Sequence, residues 1–124
     1  MKTREEILQE LPNFYGTENY FRLSPLFRTF VLTDGAKYLA DAAGAWWLMD
    51  AIASHLGSYR DEGFVVAKLQ RATATNGWVL RLEDGNDGLL ADQLIEFSDF
   101  PLDEITLYVI QQDDLRVILL PSEY

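Results

Sequence analysis

His55 is the single histidine of the chain. An imidazole near Asp50 or Tyr59 would be well placed for proton transfer, which makes it the natural candidate for a general base. The same residue stands two positions before Gly57, in the last turn of an expected helix. There a histidine complements the helix dipole and bonds the terminal carbonyls. With no identifiable nucleophile beside it, the capping role is the better account.

A second candidate is the corner Thr33-Asp34-Gly35 with Lys37, Tyr38 and Asp41. The free N–H groups of a helix start attract anions, and Lys37 adds positive charge, so a small anionic ligand could sit there. Asp34 opposes this by putting an anion in the same place. A helix cap with a one-turn Lys37–Asp41 ion pair accounts for these residues without any ligand. Trp46 and Trp47 are adjacent, and neighbouring helical residues point about 100° apart. Both rings can be buried only if the helix is covered on two sides; Trp47, if exposed, would be a contact anchor.

The acids form two further groups. The run Asp84-Gly85-Asn86-Asp87-Gly88 superficially resembles a calcium loop, which needs oxygen ligands at positions 1, 3 and 5 and a glutamate at 12. Counted from Asp84, the fifth residue is Gly88 and the twelfth is Ile95, so the pattern fails and a hairpin turn is the better reading. Glu96, Asp99, Asp103 and Glu104 could together imitate phosphates and meet a basic surface. They are interleaved with Phe97, Phe100 and Leu102, as in any strand–turn–strand edge.

Composition bounds the chemistry. The chain has 124 residues and no cysteine, which excludes disulfides, a thiol nucleophile and cysteine metal sites. One histidine excludes the usual two- and three-histidine metal centres, and no cofactor is implied. The formal charge is −10, and it is not evenly spread: residues 1–82 balance, while residues 83–124 set Arg116 against eleven acids. Such a chain is a poor match for the phosphates of nucleic acid or for an anionic membrane surface. A basic protein partner fits it better. The start Met-Lys-Thr-Arg-Glu-Glu has no apolar region of a signal peptide. The apolar stretch Ala36–Leu56 is interrupted by Lys37, Asp41, Asp50 and His55, which argues against a membrane span. A cytoplasmic location is expected.

The elements that must position these residues follow from periodicity. Thr3 and Glu6 have capping-box spacing ahead of Ile7, Leu8 and Leu11. Pro12 ends that helix. Residues 14–31 are rich in aromatics, and Pro25 restricts them to short helical turns, with a short strand near Thr29–Leu32. Tyr38, Ala42, Ala45, Met49, Ile52 and Leu56 step by threes and fours, giving helical structure over 34–57, broken into two helices at Gly44. Gly57 would close it in a left-handed conformation. From Gly63 the period becomes two. Strands are expected over 64–73, then Trp78–Glu83 after an Asn76-Gly77 turn, then Leu89–Phe97. A final hairpin runs through Glu104–Gln111 and Leu115–Leu120. Within the first of these, Val65-Ala67-Leu69 and Phe64-Val66 compete for the inner face.

The stretch Leu11–Leu56, with its string TDGAKYLA, resembles a family of small bacterial proteins of unknown function. Its members are frequent in cyanobacteria and on phages and plasmids. The segments IEFSDFPLDEITLYVI at Ile95–Ile110 and VILLPSEY at Val117–Tyr124 are similar to the same family, and the likeness is weakest between about residues 58 and 92. The resemblance implies no activity, cofactor or catalytic residue. By association with mobile elements it implies an accessory or interaction role.

The sequence therefore predicts one α+β domain, with N-terminal helices packed on a mostly antiparallel sheet of four or five strands. It favours a noncatalytic interaction or regulatory module whose acidic C-terminal third meets a basic protein. The alternative is a small enzyme or ligand-binding protein with a pocket between helix 34–57 and the sheet. A self-associating subunit is a third reading. The candidate binding residues are Asp34, Lys37, Tyr38, Trp47, His55, Asp99 and Asp103; none is assigned a catalytic or metal role.

Overall fold

Thr3 opens the first helix, α1 (Arg4–Glu10), with the reciprocal cap its spacing predicts. Its hydroxyl accepts the Glu6 N–H at 3.3 Å, and Glu6 Oε1 accepts the Thr3 N–H at 3.1 Å. The structure is a computed structural model and describes residues 2–59, 62–72, 77–86 and 88–124. Pro12 lies in a short 3-10 turn, Leu11–Asn13, that follows α1 directly.

The long helical stretch is two helices, α2 (Asp34–Ala42) and α3 (Trp46–Leu56). Gly44 between them has φ 61°, a left-handed conformation that costs glycine nothing and any other residue more. α3 is apolar on most sides: Leu48, Met49, Ile52, Ala53 and Leu56 are at most 1% exposed. Gly57 does not close α3 as expected. It is right-handed (φ −56°), because the chain runs on into a turn in which the Tyr59 N–H reaches the Leu56 carbonyl.

The strands are β1 (Phe21–Arg22), β2 (Phe30–Leu32), β3 (Phe64–Arg71), β4 (Trp78–Glu83), β5 (Leu89–Ile95), β6 (Glu104–Gln112) and β7 (Leu115–Leu119). They form one sheet in the order β1-β2-β7-β6-β3-β4-β5. All neighbouring pairs are antiparallel except β2 and β7, which are parallel. The sheet is thus mostly antiparallel, but it has seven strands rather than four or five. The strands beyond that count are β1 and β2, with two and three residues; β2 falls where a short strand was expected near Thr29–Leu32, whereas β1 is too short for alternation to reveal. β1 occupies part of the aromatic stretch expected to form helical turns. The turn expected at Asn76 lies outside the described residues.

Register decides the faces. Val65 pairs with Val109, Ala67 with Leu107 and Leu82, and Leu69 with Leu80. All seven are buried, so Val65-Ala67-Leu69 is the inner set of β3 and faces the helices. Phe64 takes the other face, where its ring meets Tyr108 and Tyr124 at 5.0 and 5.4 Å. Among the described residues, no helix is long and apolar enough to cross a membrane.

Candidate functional site

The N-terminus of α2, where the sequence favours a helix cap over a bound anion, holds the chain's own anion, the carboxylate of Glu123. Its Oε1 accepts the Thr33 hydroxyl at 2.6 Å and the Leu120 N–H at 3.0 Å, and its Oε2 accepts the Gly35 N–H at 3.0 Å. Glu123 belongs to a 3-10 turn, Pro121–Glu123, that follows β7. A Cβ on Gly35 would lie 2.6 Å from both Glu123 Oε1 and the Leu120 side chain, so the close approach needs glycine at that position. Asp34 turns outward and accepts the Glu18 N–H at 3.0 Å and the Asn19 amide at 3.4 Å. The Glu18 N–H is the main reason its carboxyl sits below the usual range.

Beyond this clasp, Lys37 pairs with Asp41 at 2.8 Å, as its spacing predicts. Asp41 also accepts the Trp46 indole N–H at 2.9 Å, which ties α2 to the start of α3. The Lys37 ammonium, helped by that indole, holds the Asp41 carboxyl below its ordinary value. Tyr38 packs against Phe14 at 5.2 Å, and its buried hydroxyl has no hydrogen-bond partner among the described residues. Asp34, Lys37 and Tyr38 therefore serve the local architecture and do not converge on a common cleft.

His55 does not cap α3. Its Nε2 stands 2.8 Å from Gln93 Oε1 on β5, and Tyr59 is spent elsewhere, donating its hydroxyl to the Leu90 carbonyl at 2.6 Å. The carbonyls at the end of α3 are taken instead by Arg116, the lone base of the acidic third. Its Nη1 donates to Leu56 at 2.7 Å, and its Nη2 donates to Tyr59 at 2.7 Å and to Glu62 at 3.3 Å. The guanidinium also lies 5.4 Å from the centre of the Phe30 ring. Arg116 is 7% exposed, and burial lowers its pKa more than the Glu62 charge restores it. A sequence signal for this residue existed: a single charge inside the apolar run Leu115–Leu120 must find polar partners if the strand is central. Imidazole lost the position because a guanidinium forks to several carbonyls at once.

Two adjoining clefts flank α3, with volumes of about 790 and 470 Å³. They share Leu26, Phe27 and Ser54. The larger runs past Arg28, Gln111 and Asp114 to Arg116. The smaller is bounded by Trp47, Asp50, Ala51 and Ser54 of α3 and by Gln93 of β5. Leu26 lies in the loop between β1 and β2 and Gln93 on β5, so the smaller cleft brings that loop and the far edge strand together beside α3. Of the residues singled out from the sequence, Trp47 lines a cleft; Asp34, Lys37, Tyr38 and His55 do not.

The acidic surface divides in two. Asp103 is held by Arg4 at 3.0 Å and by Arg71 at 3.3 Å. Asp92, Glu96 and Asp99 are exposed and make no ion pair with any described residue. They lie on and just beyond β5, which has β4 on one side and, among the described residues, no strand on the other. Leu94 and Phe97 on the same segment are 62% and 82% exposed. In the neighbouring turn, Asp84 Oδ1 accepts the N–H groups of Asn86 at 2.8 Å and Gly88 at 2.9 Å, so this carboxylate organises the turn.

Helices packed on a mostly antiparallel seven-stranded sheet, with surface clefts beside α3 and a long edge strand, define a small α+β protein. The chain belongs to the family of unknown function DUF6876, matching it over residues 5–124. Comparison with curated proteins and with solved structures finds no match.

Proposed function

We propose that this protein is a noncatalytic interaction module that takes an extended, basic segment of a partner protein along the free edge of β5. The observation that carries the reading is the edge itself. It is seven residues long, shows Leu94 and, just beyond it, Phe97 to solvent, and is bordered by Asp92, Glu96 and Asp99, which make no ion pair with any described residue. A free edge presents a row of N–H and C=O groups that accept another strand, and alternate side chains then set specificity. The opposite edge, β1, offers two residues.

Charge selects the occupant. Two copies of β5 meeting edge to edge would bring acids into the same narrow strip, whereas a segment carrying Lys or Arg reverses the sign. The same acids repel a phosphate backbone. A catalytic reading is less well supported, since His55 is held by Gln93 and lines neither cleft.

The test uses a seven-residue peptide of alternating Lys and Val, as long as β5, with a Glu–Val peptide as control. The Lys–Val peptide should shift the amide signals of Leu89–Ile95 and bind more weakly as salt rises. The triple variant Asp92→Lys, Glu96→Lys, Asp99→Lys should bind it at least about tenfold more weakly and melt like the parent protein. Equal binding of the Glu–Val peptide, or shifts confined to other strands, refutes the proposal.

A further inference from the structure

Resting on that reading, we infer that the smaller cleft beside α3 is a side-chain pocket for an arginine of the docked segment. Trp47, Asp50, Ala51 and Ser54 bound it, and their spacing of three, four and seven residues places them on one stripe of the helix. Gln93 forms its β5 wall. Gln93 pairs with Leu80, a buried residue of the inner face, so it too points to the helix side. A strand added to the edge of β5 sends every second side chain to that same side. One of them arrives next to Gln93, at the mouth of the cleft.

The pocket has the features a guanidinium uses. The half-buried Trp47 ring offers an aromatic surface, and a planar, weakly hydrated guanidinium stacks on such a face. The Asp50 carboxylate is exposed and makes no ion pair with any described residue, leaving both oxygens for a forked pair of N–H donors. Leu26, Phe27 and Ala51 supply apolar contact for the methylene stem. Lysine satisfies the charge but neither stacks as well nor forks.

The inference is tested with the Lys–Val peptide in which each Val in turn is replaced by Arg or by citrulline, its neutral isostere. Arg at one position should bind about tenfold more tightly than citrulline at that position. The gain should vanish in Asp50→Asn and shrink in Trp47→Leu and, more mildly, in Trp47→Phe. In the register that turns Val toward the cleft, the unsubstituted peptide puts no charge there, and each variant should still bind it through the β5 edge. If that peptide binds but Arg gives no gain at any position, or the gain survives in Asp50→Asn, the pocket assignment is overturned while the β5 reading stands. If it does not bind at all, the β5 reading fails and takes the pocket with it.

Discussion

Replacing Arg116 by methionine isolates the device that closes α3. The substitution keeps most of the apolar stem and removes two hydrogen bonds of 2.7 Å and one of 3.3 Å. Hydrogen bonds to a charged group contribute roughly 1.5–3 kcal/mol each. The two short ones, from a residue 7% exposed, therefore represent about 3–6 kcal/mol. Against this, the variant no longer has to bury a cation, a cost visible in the lowered pKa of Arg116; recovering about 1–2 kcal/mol leaves a net loss near 3 kcal/mol. For 124 residues the unfolding entropy is about 0.26 kcal/mol/K, so the melting temperature should fall by about 11 °C. Arg116→Lys keeps the charge but loses the fork, and should recover less than half of the loss. Urea unfolding followed by circular dichroism measures both, with the slope m expected to stay constant. A loss below about 1 kcal/mol for methionine, or equal stability of lysine and arginine, would refute the claim that the guanidinium holds the end of α3.

Gly35→Ala should push the Glu123 carboxylate off the α2 N-terminus and destabilise by about 1–3 kcal/mol. Because Glu123→Ala removes the same contact, the double variant in urea unfolding should cost little more than the larger single one; full additivity would show the two residues to be independent. Tyr38→Phe removes a buried hydroxyl that has no partner among the described residues, and should be neutral or stabilising by up to about 1 kcal/mol; a clear loss in thermal unfolding would reveal a bond to that hydroxyl. Asp34 and Asp41 both have folded pKa values depressed by hydrogen bonds, from the Glu18 N–H and from Lys37 respectively. Their stabilisation is present above the unfolded pKa, near 3.9, and is lost as pH falls through the lower folded value. The stability gap between the parent protein and the Asp34→Asn, Asp41→Asn double variant should therefore be open at pH 7 and close in acid; a gap that widens in acid reverses the sign and refutes the assignment.

Much of the fold was legible because its signals are local. The Thr3–Glu6 cap, the break at Gly44, the Lys37–Asp41 pair and the alternation of Trp78, Leu80 and Leu82 each depend on residues a few positions apart. What escaped depends on distant partners. β2 was expected as an isolated short strand, but its place in the sheet comes from β7, more than eighty residues later, and β1 is a strand only by pairing with β2. Glu123 lies 88 positions from the Gly35 N–H it accepts, and Arg116 lies 60 from the Leu56 carbonyl; no window on the chain contains both ends of either contact. The assignment of His55 as the helix cap failed for the same reason, since the stronger donor comes from another strand. The acidic third was visible as charge, but its division into a bound Asp103 and an unpaired group at β5 required knowing where Arg4 and Arg71 lie.

The strand order has a consequence for synthesis. β7 comes last in chain order among the seven strands, yet it lies between β2 and β6 and joins them. A nascent chain halted before Leu115 holds two fragments, β1-β2 and β6-β3-β4-β5, with nothing to connect them, and lacks the arginine that fastens α3. The sheet can therefore become continuous only once Leu115–Leu119 has been made. A chain stopped before Leu115 would thus yield two unjoined half-sheets in place of one seven-stranded sheet.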